Sequence, residues 1–288
     1  MNYPAYHTKV YKTKNGTPYL KEPGVVMIAK TETNLSGMRK FLQGFDKDLE
    51  FDKYLDDPTK IPDIEQLVKA AGQICYVSYG PKRSTNADAG KYFTNIKLSG
   101  HGSVLEHADV SFLFYGISRT LTHELVRHRS GFAYSQVSQR YVSGSVLRFV
   151  ERPEFIDDAD LHALFEESID ASARAYEDLA KKLMDRQSNG AGVLSAERKT
   201  DLRKKVQQCA RTLLLNAAEA PIVVSANIRA WRHFIEMRGS EHAEIEIRKL
   251  AVMVYRALKE IAPHLFDDYR EIKMSDGTTG IDTEYRKV

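Results

Sequence analysis

Residues 107–141 read HADVSFLFYGISRTLTHELVRHRSGFAYSQVSQRY, and the fold of the chain turns on this stretch. In His107–Tyr115 every second residue is apolar at Val110, Phe112 and Phe114, the period of a strand with one buried face. Ser118 carries the side chain of a good N-cap and predicts a helix running to about Arg127. The glycine-containing SGFAYSQ, residues 130–136, reads as a loop, with a second strand expected from about Ser138 to Val150.

Working outward, Ile64–Ile74 places Leu67, Ala70 and Ala71 on one side of a short helix, and Cys75–Tyr79 runs into the turn signal Gly80-Pro81. Asp158–Gln187 is an amphipathic helix with Leu161, Leu164, Phe165, Ile169 and Tyr176 inward, broken by Asn189-Gly190-Ala191-Gly192. A further helix is expected over about Ser195–Ala218, then an extended piece at Pro221–Val224 and a helix over Ile228–Met237 that stops at Gly239. The last long helix takes Ser240 as cap and Glu241 in its first turn, with Ile247, Leu250, Ala251, Val254, Leu258 and Ile261 at core spacing. Strands flanked by long helices without βαβ alternation give an α+β class with a mixed or antiparallel sheet. Residues 1–62, polar and broken by proline and glycine, read as an extension with little regular structure. Residues 63–275 read as a single catalytic domain, and 276–288 as a polar tail.

At 288 residues, 42% hydrophobic and 28% charged, the chain is long and apolar enough to bury its own core without disulfides or a structural metal. The only cysteines, Cys75 and Cys209, are isolated, which excludes a disulfide scaffold and a zinc ribbon. No apolar run is long enough to cross a bilayer and the N-terminus lacks a signal-peptide block, so a cytoplasmic location with no membrane partner is expected. A net charge of +3 is too small to suggest nucleic-acid binding.

The local distribution of charge says more. Arg119, Arg127, Arg129, Arg140 and Arg148 crowd one lysine-poor stretch, and Arg229, Arg232 and Arg238 another. Guanidinium groups grip phosphate or carboxylate with two parallel hydrogen bonds, so such clusters point to an anionic ligand unless structural ion pairs consume them. Near the first cluster only Glu106 and Glu124 offer themselves as partners. Dinucleotide, Walker and nucleophile-elbow motifs are absent. His123 and His128 stand five apart, too far round a helix to share a zinc ion, so no metal is expected.

The run Arg127-His128-Arg129, a short spacer and Ser138-Gln139-Arg140-Tyr141 resembles the signature of the flavin-dependent thymidylate synthases. The spacer Ser130–Val137 is one residue longer than in the commoner form of that signature. His101-Gly102-Ser103-Val104-Leu105-Glu106-His107 is similar to the family's upstream element, and Asn227–Arg238 to its downstream helix. Together the three cover roughly residues 65–270.

The resemblance implies reductive methylation of dUMP to dTMP, with methylenetetrahydrofolate as one-carbon donor, NADPH as reductant through FAD, and no protein nucleophile. It implies dUMP contacts at Glu124, Leu125, Val126, Arg127, Gln136, Val137, Ser138, Gln139, Arg140, Arg211 and Arg238. Ser138 is then a phosphate ligand, and Arg238 the catalytic residue facing the uracil. FAD contacts are implied at Ser103, Arg127, His128, Arg129, Gln136, Asn227, Ile228, Arg229 and His233, and a homotetramer with shared sites is implied as the assembly. His101 and Glu106 are candidates for ordering the flavin or folate pocket, and Trp231 reads as a core anchor. The competing reading is a non-catalytic nucleotide- or RNA-binding protein. A carboxylate at Glu124 inside the arginine cluster counts against it, because a backbone-tracking surface has no use for one.

Overall fold

In the computed structural model, which describes residues 3–51, 59–78, 88–143, 146–188 and 196–288, ten strands and eight helices alternate irregularly along the chain. The strands are β1 (Ala5–Tyr6), β2 (Val10–Lys12), β3 (Pro18–Leu20), β4 (Gly24–Lys30), β5 (Asp109–Tyr115), β6 (Phe132–Gln136), β7 (Phe149–Val150), β8 (Ile222–Asn227), β9 (Tyr269–Lys273) and β10 (Thr279–Thr283). The helices are α1 (Met38–Leu42), α2 (Asp63–Cys75), α3 (Ala89–Leu98), α4 (Arg119–Leu125), α5 (Ala159–Ser188), α6 (Ala196–Ala210), α7 (Ile228–Arg238) and α8 (Ile245–Ile261). The main sheet is antiparallel throughout, in the order β1-β4-β5-β8-β6. Beside it lie a mixed three-stranded sheet, β2-β3-β7, and the hairpin β9-β10, so the class is α+β as expected.

Strand β5 alternates as its sequence predicts, with Val110, Phe112 and Phe114 in the core and the residues between them less buried. Strand β8 has the same period and packs against β5 in register, Phe112 opposite Val224. Across this face lies α7, whose Trp231 is fully buried and donates its indole N–H to the carbonyl of Val110 at 3.1 Å. A ring that large finds both apolar cover and a polar partner here, which fixes α7 on the sheet.

Several expectations are corrected. The segment 130–136 is not a loop. Gly131, in the left-handed region at φ +75°, starts β6, where Phe132 and Tyr134 turn inward and stack on each other at 5.7 Å while Ala133 and Ser135 face out. Among the described residues of the strand expected over 138–150 most are turn or irregular, and only Phe149–Val150 pairs. Residues 1–62 carry four strands, and β4 enters the main sheet beside β5; its apolar VVMIA run supplies a strand that proline and glycine punctuation hid. The tail 276–288 is no loose end either, because β10 pairs with β9 and Val288 is buried.

Helix α8 begins at Ile245 rather than at Ser240, whose hydroxyl instead donates back to Met237 O. Helix α6 ends at Ala210, short of Ala218. Gly239 does end α7, yet its φ of −81° is ordinary. A Cβ there would lie 2.7 Å from Ile235 O and 2.8 Å from the Cβ of Ile281, so glycine is required by the close passage of β10. The Gly80–Pro81 turn and the Asn189–Gly192 break lie outside the described residues.

Candidate functional site

Helix α4 and the turn after it carry the first group of predicted site residues. Ser118 caps α4, its hydroxyl oxygen accepting from Leu121 N at 3.1 Å, and is itself clamped by the buried carboxylate of Glu246, to which its N–H and O–H donate at 2.8 and 2.7 Å. After Leu125 the chain continues through two tight turns, Arg127 N to Glu124 O and His128 N to Leu125 O. The Tyr134 hydroxyl on β6 lies 2.9 Å from the carbonyl of Leu125 and 2.5 Å from that of His128. The spacer thus runs into a strand that is hydrogen-bonded to β8 and pinned to the Arg127–Arg129 turn.

The last residue of α7 completes a compact polar cluster. Arg238 donates through Nε to His128 Nε2 at 2.9 Å and through one terminal nitrogen to Glu124 Oε2 at 2.7 Å. Its other terminal nitrogen lies 3.3 Å from Glu124 O. A planar fork bound at three points has little rotational freedom. Burial, aided by the charge of Arg238 and by His233, pushes the His128 imidazole down to about 4. His128 is therefore neutral near pH 7, and its Nε2 lone pair accepts from Arg238 while Nδ1 keeps the proton.

A second group lines a cavity at the start of α7. Asn227 caps the helix, its Oδ1 accepting from Ala230 N at 2.8 Å, which leaves the Nδ2 amide as its donor towards the cavity. Arg229, His233, Ser130 and Gly131 share this cavity. A Cβ on Gly131 would fall 2.8 Å from Asn227 Nδ2 and 3.0 Å from the Cβ of Ala230, so only glycine lets β6 approach so closely. Arg229 pairs with Glu106 at 2.5 Å, joining α7 to the 3-10 segment Gly102–His107. Ser103, on that segment, faces a neighbouring cavity where Tyr76 stacks on His101 with ring centroids 6.1 Å apart.

Helix-start amides, an amide donor and cations around one cavity are what a phosphate-bearing cofactor requires, and the glycine approach leaves space against the helix. The residues present therefore fit FAD.

The arginine clusters divide sharply. Arg148 grips Glu219 with both nitrogens at 2.6 and 2.8 Å, and fully buried Arg232 grips Asp268 at 2.9 Å twice; both are structural. Arg127, Arg129 and Arg140 are exposed and form no ion pair among the described residues, and neither does half-buried Arg211 at the end of α6. Among the described residues the Arg140 guanidinium lies 5.7 Å from the ring of Tyr141, while its N–H meets Ser138 Oγ at 3.3 Å.

Other predicted positions are less open. The side chains of Leu125 and Ile228 are wholly in the core, which leaves only their backbones for a ligand. Val126 is exposed, Val137 half-buried, and Gln136 reaches Thr122 Oγ1 at 3.4 Å. Gln139 is buried with its Nε2 unpartnered among the described residues, an unusual cost for a packed chain. Within one chain, then, Glu124, His128 and Arg238 meet, and Asn227, Arg229 and His233 meet. Among the described residues no hydrogen bond or ion pair joins Arg211 or Ser138–Arg140 to either group, whereas the rings of His128 and His233 lie 5.9 Å apart and bring the two groups together. Sequence reasoning missed Ser130 and Gly131 as wall residues, although a glycine beside an arginine cluster was the available signal.

The sequence profile of the family described as thymidylate synthase complementing protein matches residues 58–264. The chain is similar to the flavin-dependent thymidylate synthase of Mycobacterium tuberculosis (strain ATCC 25618 / H37Rv), 46% identical over 215 residues, or 74% of this chain and 82% of that one. The enzyme of the same name from Mycolicibacterium gilvum (strain PYR-GCK) matches with the same identity and coverage. That from Mycobacterium sp. (strain JLS) is 47% identical over 216 residues, again 74% and 82% of the two chains.

Proposed function

The chain belongs to the thymidylate synthase complementing protein family, and from that premise we propose how its residues divide the work of making dTMP. The activity is that of a flavin-dependent thymidylate synthase, methylating dUMP reductively with methylenetetrahydrofolate as one-carbon donor and FAD as cofactor. NADPH serves as reductant. When bound, FAD supplies the redox chemistry that carries reducing equivalents to the pyrimidine.

The observation that carries the assignment of roles is the Arg238 guanidinium, held by Glu124 and neutral His128, with Arg127, Arg129 and Arg140 without a carboxylate partner among the described residues. Arg238 is the catalytic residue. It faces the uracil and stabilises negative charge developing near N3, a task for a fixed cation that never loses its proton. Glu124 and His128 orient it. Arg127, Arg140 and Arg211 hold the dUMP phosphate with the Ser138 hydroxyl, and Gln136–Arg140 line the nucleotide. Ser138, at its position in the family motif, acts as a phosphate ligand with Arg140 rather than as a nucleophile; among the described residues its Oγ accepts from Arg140 N and no base lies within reach. Asn227, Arg229 and His233, with Ser103, Arg127, His128, Arg129 and Gln136, hold FAD.

Exposed arginines without an ion-pair partner among the described residues fit sites completed by neighbouring chains of a homotetramer. A non-catalytic RNA-binding role is disfavoured by the carboxylate of Glu124 at the centre of the cluster. Purified protein is expected to show flavin absorbance, or to acquire it with FAD, and to oxidise NADPH only when dUMP is added. Protein that stays colourless with FAD would count against the assignment.

A further inference from the structure

We infer that Lys287 is an anion-binding residue of the cavity at the start of α7, placed to hold a phosphate group of a bound dinucleotide. This rests on the proposed reading of that cavity as the cofactor site. Lys287 lies beyond the residues matched by the family profile, which end at 264, so nothing in the family assignment covers it.

The tail reaches the cavity on a fixed path. Thr283 donates to buried Asp268 at 2.6 Å, and Arg232 donates to the carbonyls of Tyr285 and Val288 at 3.3 Å each. The Lys287 N–H donates to Glu236 Oε2 on α7 at 3.1 Å. Lys287 itself stands in the left-handed region at φ +66°, which a residue with a side chain keeps only where its surroundings hold it. Gly102 shows how close the approach is: a Cβ there would lie 2.9 Å from Arg229 Nε and 3.0 Å from the carbonyl carbon of Val288.

Charge gives the anchored tail its meaning. Lys287 lines the same cavity as Asn227, Arg229 and His233. The Arg229 guanidinium there is already compensated by Glu106 at 2.5 Å. Glu236 keeps its charge and holds the Lys287 backbone through Oε2, while the ammonium of Lys287 forms no ion pair among the described residues. The Lys287 ammonium and the Arg229 guanidinium line one cavity beside a helix start and offer phosphate oxygens charged donors. Two phosphates could meet it, the pyrophosphate of FAD or the 2′-phosphate of NADPH, and the chemistry at Lys287 is the same for both.

Fluorescence titration of the full chain, stripped of flavin, separates the sources. Lys287→Gln is expected to raise the dissociation constant for one phosphate-bearing ligand about tenfold, the cost of roughly one charge-assisted hydrogen bond. Lys287→Glu is expected to raise it further and Lys287→Arg to restore it, with dUMP affinity unchanged as the control for folding. If FAD weakens while riboflavin does not, the pyrophosphate is the partner; if NADPH weakens while NADH and FAD do not, it is the 2′-phosphate. Equal affinities for FAD and NADPH in the wild type and both charge-removing variants overturn the inference alone. A wild-type chain that takes up neither ligand overturns the reading of the cavity and the inference with it.

Discussion

Arg238 shows what a single side chain gains from its neighbours. Its three hydrogen bonds, two to Glu124 and one to His128, settle the plane of the guanidinium before any ligand arrives. Lysine has the charge without the fork and cannot satisfy both partners at once. Arg238→Lys is therefore expected to lower turnover on the order of a hundredfold, the scale of losing one pre-organised electrostatic contact. FAD content per chain should fall far less than turnover, because Arg238 touches the proposed cofactor residues only through His128; unaltered turnover would refute the role. Glu124 and Arg238 are 114 residues apart, so this pairing could not be inferred from spacing. The sequence showed which residue types were present in excess. It did not show that Arg148 and Arg232 are consumed by Glu219 and Asp268, since ion-pair partners so distant are chosen by the fold.

Elements with a single strong signal were the most legible. The alternation of β5 and the cap at Ser118 were visible, because each depends on contacts within a few residues. Strand β6 was not, although Phe132 and Tyr134 do alternate. Its glycine, serine and glutamine carry turn propensity, and pairing with β8 overrides it. The start of α8 was misplaced for a related reason: Ser240 and Glu241 make a plausible cap locally, but Glu241 accepts from Ser275 instead and the helix begins later. Ser118 joins two helices through Glu246, so it bears more than an ordinary cap. Ser118→Ala removes the cap and leaves Glu246 Oε2 short of a donor in the core. Together these should cost about 2 kcal/mol of stability, read as a lower urea midpoint with unchanged slope. An unshifted midpoint would mean that the clamp contributes nothing.

At the scale of the whole molecule, the groups around Arg238 and around Asn227 meet where the rings of His128 and His233 lie 5.9 Å apart, with Arg211 and the Ser138–Arg140 turn set apart. Arg127, Arg129 and Arg140 stand exposed, without an ion-pair partner among the described residues. A homotetramer that brings other chains against these arginines is expected to give about four times the 32.7 kDa chain mass by light scattering. A monomer retaining full activity would contradict shared sites.

The order of the main sheet has a consequence for how the chain comes to be folded. Strand β4 lies near the N-terminus, its neighbour β5 begins at Asp109, and β8, which closes the other side of β5, ends at Asn227. During synthesis the inner edge of β5 waits, unpaired, for more than a hundred further residues to be added. Sheets assembled from such distant segments close slowly, and their open edges are where nascent chains stick to one another. The antiparallel layer that carries α7 to its place at the site is thus among the last parts of the molecule to become whole.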